Sequence, residues 1–527
     1  MMGAPDPHAR RSLLAGWIAI AVVAALLAAS IVWMAAREAL APPSAERAPA
    51  RGPSIVLVLI DTLRADYLGT YGFAGDVSPR IDRFAQEAIV FENAFSQAPW
   101  TKPSIATLFT SLHPKQHGVS AHGSQFLTET GAELRASALP RRALTLAEGL
   151  RRAGYETAAF VANPWIRQGL GFAQGFDTFE EETGATPVFA DAILAKARKW
   201  LAERSSEKPF FLYLHFMDIH GPYDPPADDV RAVQDSGSLG ARRALRREEL
   251  DRRRGYLMKA PWTTRPEGRR LETWRGRYAA GVRALDREIG GFLDDLAARG
   301  LLDDSVVVIT SDHGEELLDH GDFDHGNTLY DEQIHVPLVV RLPGGAGGGR
   351  RIDDVVGLID VMPTLLGLAG SEVSPKLAGR DLGVLLEGKS FAGSEIAISA
   401  GVKRRPELES VRTRTHKLVR DGKTGETALF DLAADPGESR DLSATAPQVR
   451  AALEKALSVH GAEIARSPIL EKRRARVGRR TADKLRSLGY LEDEVSQGSA
   501  AHARTNPPEP AAPADEEVRR TQEKEQP

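Results

Sequence analysis

The chain has 527 residues, 42% of them hydrophobic and 27% charged, enough to bury a large core with room for a second, smaller unit. Its formal net charge of -4 is small for this length, which excludes the whole-protein basic field that recruits nucleic acid. Cysteine is absent, which rules out a disulfide framework, a thiolate zinc site and an acyl-cysteine anchor.

Residues 13–36 are an uncharged apolar run. At about 1.5 Å rise per residue, such a run covers the roughly 30 Å hydrocarbon core of a bilayer. Arg10 and Arg11 precede it, so the positive-inside rule predicts a cytoplasmic N-terminus over 1–12 and a single-pass transmembrane anchor over 13–36. The expected location is a bacterial inner membrane, with the following domain periplasmic or otherwise extracytoplasmic. Ala39-Leu40-Ala41 suggests the alternative of a cleaved signal peptide, but the apolar run exceeds the roughly 7–15 residues of a signal core. Residues 37–53, small and proline-rich, read as a linker.

From Ser54 onward, short apolar runs at 55–60, 157–161, 210–216, 306–310 and 336–341 read as strands between amphipathic helical stretches. This is the pattern of an α/β fold, a large mostly parallel central sheet with helices on both faces, expected over 54–395. Residues 227–277 are rich in Arg, Glu and Asp and read as a solvated insertion, or alternatively as a lid or funnel for an anionic substrate. Short alternating segments then predict a small C-terminal antiparallel-sheet subdomain over 396–465, followed by a helical extension over 466–491. The Pro, Glu, Arg and Gln-rich tail at 492–527 has little apolar surface to bury and reads as disordered.

Three of the strand-like runs end in groups able to bind metal or phosphate. The first ends at Asp61, the third runs into Asp218 and His220, and the fourth ends at Asp312 and His313. Ligands of open α/β sheets bind beyond the carboxyl ends of strands, so these residues can converge although far apart in sequence. Trp100-Thr101-Lys102-Pro103-Ser104 leads into a helical stretch, and this places Thr101 at a helix N-terminus, an anion site. Singly, Thr101 reads as a helix cap, Asp61 as a turn residue and His313 as a hydrogen-bonded histidine; jointly they read as a site.

Several ordered motifs carry a resemblance: Ile60-Asp61-Thr62-Leu63-Arg64-Ala65-Asp66; Ser78-Pro79 with Asp82; Pro99-Trp100-Thr101-Lys102-Pro103-Ser104; His215 through Asp218, His220, Pro222 and Tyr223; and Ser311-Asp312-His313-Gly314-Glu315. In order and spacing the chain resembles the sulfatase family of the alkaline phosphatase superfamily over about residues 54–445. Two departures bear on function. Sulfatases use a formylglycine made from Cys or Ser in a C/S-x-P-x-R motif, whereas Thr101 and Ile105 stand at the Cys/Ser and Arg positions here, so no formylglycine is expected. Calcium-type members have two adjacent acids and a later Asp-Asn pair, where this chain has Asp61-Thr62 and Asp312-His313. Exchanging a carboxylate for an imidazole favours manganese or zinc, with calcium or magnesium also able to bind.

Asp61, Thr101, Asp312 and His313 resemble the one-metal sites of lipoteichoic acid synthases and phosphoethanolamine transferases, which also use Thr. A divalent cation lowers the pKa of the Thr hydroxyl, which can then attack phosphorus in line and form phospho-Thr101. The resemblance makes His220 and His325 catalytic candidates and gives His220 the substrate-histidine position. Lys102 and Asp218 are candidate substrate-binding groups, His117 and His320 read as structural, and Asp218, His220 and His325 are a weaker candidate second metal site. The expected partner is an anionic ester, of lipid or cell-envelope glycan origin. A sulfuric ester hydrolase and a catalytically inactive binding protein of the same fold are the competing readings.

Overall fold

The computed structural model describes residues 52–119, 134–181, 188–205, 207–235, 271–321, 323–391, 395–403, 407–466, 470–471 and 473–487. Its centre is an eight-stranded sheet built from β1 (Ser54–Ile60), β2 (Ile89–Phe95), β3 (Glu156–Val161), β4 (Thr178–Glu181), β5 (Phe210–Phe216), β6 (Ser305–Thr310), β7 (Leu338–Arg341) and β8 (Arg351–Gly357). Across the sheet the order is β8, β2, β7, β6, β1, β5, β3, β4.

β1 shows why the central strands are apolar throughout. Side chains alternate between faces, and Ile55, Leu57 and Leu59 enter one buried cluster while Val56, Val58 and Ile60 enter the other. Helices α2 (Thr101–Thr110), α3 (Leu146–Arg152) and α6 (Val361–Leu368) cover the first face; α1 (Pro79–Gln86), α4 (Ala190–Glu203) and α5 (Leu271–Ala298) cover the second. A strand covered twice has no polar side. The start of α3 is fixed by a capping box in which Thr145 Oγ1 accepts from Glu148 N at 3.1 Å.

The sheet is mixed rather than uniformly parallel. β6, β1, β5, β3 and β4 run parallel to one another, but β7 is antiparallel to both β6 and β2. Among the described residues, the segment between β6 and β7 carries no long crossover helix, only the short antiparallel pair Glu316–Leu317 and Phe323–Asp324 and the single helical turn Asp331–Ile334, so the chain doubles back. Three strands escape the sequence pattern. β2 has half-buried Glu92 and Asn93 at its middle, β4 is a short polar edge strand, and β8 contains Asp353 and Asp354 where its register shifts against β2.

After the main sheet, β9 (Ala397–Ala400), β10 (Leu408–Arg412), β11 (His416–Asp421) and β12 (Thr427–Asp431) form an antiparallel sheet in sequence order. Leu453 and Leu457 of α7 (Pro447–Arg466) pack on its Ile398, Val411, Leu418 and Leu429. The segment expected as a helical extension begins instead with a strand. Arg473–Val477 pairs antiparallel with Leu134–Ala138 before the helix Arg479–Ser487, and its Val477 and Leu485 return to the core under the first face. Among the described residues no helix is long and apolar enough to cross a membrane. The anchor expected at 13–36, the insertion's residues 236–270 and the tail at 492–527 lie outside the described residues.

Candidate active site

Four adjacent parallel strands, β6, β1, β5 and β3, end along one edge, and each delivers a polar residue there. Alternation decides which face they meet on. Asp61 continues the parity of Ile55, Leu57 and Leu59; Asp312 continues that of Val306 and Val308; His215 shares that of Phe211 and Tyr213. All therefore emerge on the face covered by α2, the helix that begins with Thr101. The cap of that helix is Trp100, not Thr101, so the capping role expected for Thr101 is not the one it plays. Its hydroxyl lies 3.3 Å from His313 Nε2 and 3.5 Å from Asp61 Oδ2, fully buried.

Hydrogen bonds fix which atoms face the centre. His313 Nδ1 donates to Gly314 O at 2.8 Å, leaving the Nε2 lone pair 3.3 Å from Asp312 Oδ2 and 3.5 Å from Asp61 Oδ1. Asp312 Oδ1 accepts from His313 N at 3.0 Å and from Thr62 N at 3.4 Å, while Oδ2 is buried without a hydrogen-bond partner. Asp61 Oδ2 accepts from Asn163 Nδ2 at 2.5 Å and from His215 Nε2 at 3.1 Å, while Oδ1 is likewise buried without one. Tyr213 OH, 3.1 Å from His215 Nδ1, holds that ring with Nε2–H toward the carboxylate.

Two carboxylate oxygens without a hydrogen-bond partner among the described residues, an imidazole lone pair and a hydroxyl thus converge in a buried centre. Such a set repels itself unless a cation lies among its members, so the residues fit a divalent metal ion. The electrostatics agree. Burial and the charge of Asp61 push the Asp312 carboxyl well up; burial would raise Asp61 too, but the hydrogen bond from His215 and the other imidazoles around it keep it low. Burial and His325 push His313 well down, so it stands as a neutral ligand.

Thr62 bears the strain of the turn. It has φ +64, an outlier for a β-branched residue, and its buried hydroxyl has no hydrogen-bond partner. Tyr278 OH locks the turn by donating to Thr62 O at 2.6 Å and accepting from Arg64 N at 2.9 Å.

Beyond this centre, the His325 ring lies 4.5 Å from the His313 ring and 5.1 Å from that of His220. His325 Nδ1 faces Glu315 Oε1 at 3.1 Å and Asp324 Oδ1 at 3.0 Å. Burial would lower its pKa, but the two carboxylates outweigh it and raise the imidazole to about 9. His220 Nδ1 donates to Gly221 O at 2.7 Å. Asp218 does not join His220 and His325 as a cluster; its Oδ1 accepts from Ala190 N at 2.9 Å, and His325 turns its Nδ1 to Glu315 and Asp324 instead. Lys102 is fully buried, its Nζ 4.4 Å from the Trp165 ring centre and 5.5 Å from that of Trp100, with no hydrogen-bond acceptor among the described residues. Burial and the charge of Lys403 bring it down to about 7.

Asp61, Thr101, Asp312 and His313 are brought together; His220 and His325 border them; Asp218 stands apart. Sequence reasoning missed His215 and Asn163 as supports of Asp61, and Glu315 and Asp324 as partners of His325. Asn163 follows β3 as Asp61 follows β1, so the strand-end rule could have found it. His215 opens one of the ordered motifs, but its role on Asp61 was legible only by parity within a strand that reads as core.

The family model described as Sulfatase matches residues 53–371, and that described as N-sulphoglucosamine sulphohydrolase, C-terminal, matches residues 318–462. An arylsulfatase of Clostridium perfringens is 25% identical, covering 74% of this chain and 90% of its own. An N-acetylglucosamine-6-O-sulfatase of Bacteroides thetaiotaomicron is 24% identical, covering 74% of this chain and 82% of its own. Among solved structures, the phosphonate monoester hydrolase of Agrobacterium radiobacter superposes with a TM-score of 0.62 at 23% identity, over 78% of this chain and 96% of that one.

Proposed function

Because this chain belongs to the sulfatase family of ester hydrolases, we propose that it cleaves or transfers a phosphoester through the Thr101 hydroxyl rather than a sulfate ester through an aldehyde. A secondary alcohol at this position cannot be converted to formylglycine, and the chain has no Cys. The observation that carries the reading is the position of the Thr101 hydroxyl, buried between His313 Nε2 and Asp61 Oδ2 and not used as a helix cap.

Asp61, Asp312, His313 and Thr101 would hold one divalent ion, manganese or zinc by donor set. When bound, it supplies positive charge that acidifies a neighbouring hydroxyl and neutralises non-bridging oxygens. Thr101, having lost its proton to solvent, bonds to phosphorus as the bond to the leaving oxygen breaks. His325, protonated at neutral pH through Glu315 and Asp324, gives that oxygen its proton. Water or an acceptor alcohol then attacks phosphorus, returns a proton to His325, and breaks the bond to Thr101. His220 and Lys102 orient the anionic group, and the N-terminus of α2 adds its dipole.

Brief exposure of the purified protein to phosphomonoesters, phosphodiesters and sulfate esters, followed by mass spectrometry of the Thr101 peptide, tests this. A phosphoryl adduct on Thr101 is the expected result. Turnover of a phosphoester with Thr101 never modified would point to attack by water instead. Since curated relatives are named sulfatases, turnover confined to sulfate esters would establish the competing chemistry. The same reading includes the anchor at 13–36 and an extracytoplasmic site, supported by Arg10, Arg11 and the apolar run.

A further inference from the structure

The ligands that follow β1 and β6 leave the sheet in two separate turns, 61–64 and 311–314, and hydrogen bonds stitch one turn to the other. Leu63 N donates to Ser311 Oγ at 2.9 Å, and that hydroxyl donates to His313 O at 2.6 Å. Thr62 N reaches Asp312 Oδ1 at 3.4 Å, which leaves Asp312 Oδ2 for the centre. Two successive backbone donors thus point at the second turn, as the N–H groups of a tight turn do when they gather around acceptors.

That arrangement depends on Thr62 standing at φ +64. A β-branched residue is an outlier there and stays only where its surroundings over-determine it. The hold comes from α5. Tyr278, fully buried, donates to Thr62 O at 2.6 Å and accepts from Arg64 N at 2.9 Å, so a single hydroxyl grips the turn on both sides of Leu63. Its ring is wedged in place, meeting Tyr67 edge-on at 4.6 Å and Tyr223 at 5.9 Å. Removing that one oxygen frees Thr62 to return to an extended backbone. With it go the donors that register Asp61 and its turn against Asp312 and His313.

We propose that Tyr278 is a positioning residue for the metal centre, acting on Asp61, Asp312 and His313 through the left-handed backbone at Thr62. It holds the two turns at the spacing that one shared ion requires. The inference rests on the reading that these residues hold a divalent ion, and it is independent of what Thr101 does and of which ester is cleaved.

The test is calorimetric titration of the metal-free full chain with manganese chloride, at a temperature well below each variant's melting midpoint. Tyr278→Phe keeps the ring and loses only the hydroxyl, and should bind manganese about 10–100-fold more weakly than the wild type. Thr62→Gly, which accepts a positive φ without steric cost, should bind like the wild type. The deciding protein carries both changes. Because glycine does not need the clamp, Thr62→Gly in the Tyr278→Phe background should regain most of the lost affinity, a coupling that two independent losses do not produce. Unchanged affinity in Tyr278→Phe, or a double variant no tighter than Tyr278→Phe, overturns the proposal; a lower melting midpoint with affinity intact would make Tyr278 a packing residue. If Tyr278→Phe alone does not fold, the double variant still decides, since near wild-type affinity upholds the clamp and weak binding overturns it. A wild type that takes up neither manganese nor zinc defeats the one-ion reading itself, and the proposal with it.

Discussion

Thr101 occupies the first turn of α2 without capping it, so its removal should cost catalysis far more than stability. Thr101→Ala deletes a buried methyl and hydroxyl, a loss on the order of 1 kcal/mol, and is expected to keep the thermal midpoint within a few degrees while abolishing turnover. Thr101→Ser keeps the hydroxyl but loses the β-branch that restricts χ1, and should retain part of the activity. Full turnover by the Ala variant with metal still bound would remove Thr101 from the mechanism. Lys102 poses the opposite balance. Its amine is buried among Trp rings with no acceptor among the described residues, a costly state for the charged form that a substrate anion relieves. Lys102→Met, of similar length, should raise the melting midpoint and raise KM, by about tenfold for a group worth roughly 1.4 kcal/mol. A lower midpoint with KM unchanged would make Lys102 a packing residue only.

At the scale of elements, strand periodicity positions the site. β1, β5 and β6 share a parity that sends Asp61, His215 and Asp312 to the α2 face, and β3 adds Asn163 at the same edge. Since His215 and Asn163 grip the Asp61 oxygen opposite the partnerless one, His215→Gln and Asn163→Ala should leave the fold intact and weaken metal affinity by about 10–100-fold. Metal titration of the purified variants reads this directly, and unchanged affinity would mean that Asp61 is oriented by its strand alone. The same periodicity explains what was readable beforehand. Doubly covered strands are uniform apolar runs, so the central strands and the acids at their ends stood out. β4 and β8 lie at the sheet edges, where polar residues are tolerated, and gave no such run. His215 was hidden for the converse reason, because it is a polar residue inside a buried strand and reads as core. The pairing of Arg473–Val477 with Leu134–Ala138 joins segments far apart in sequence, and neither is apolar enough to announce a strand.

For the whole molecule, the anchor reading makes a topological prediction. Protease added to intact spheroplasts should digest the chain beyond residue 50, and survival until the inner membrane is broken would reverse the orientation. A second expectation concerns how the C-terminal sheet is held against the catalytic unit. Lys417 Nζ lies 3.0 Å from Asp331 Oδ1 and 2.7 Å from Glu438 Oε1, fully buried, and Arg412 also pairs with Asp331. Lys417→Met would leave Glu438 buried without its cationic partner while Arg412 still holds Asp331, and should cost about 3–5 kcal/mol. Beside this network, His320 stacks on Tyr330 at 3.6 Å and its Nδ1 donates to Glu332 Oε1 at 2.6 Å. Burial opposes the imidazolium, but Glu332, Glu438 and Glu316 overcome it and raise His320 to about 9. A raised folded-state pKa means that the contribution is complete below the unfolded value of about 6.5 and is lost as pH climbs toward 9. Thermal midpoints of the wild type should therefore fall across that window more steeply than those of His320→Gln, which can keep a hydrogen bond to Glu332 but cannot titrate. Parallel pH profiles for the two proteins would show that His320 is not the group linking alkaline pH to stability.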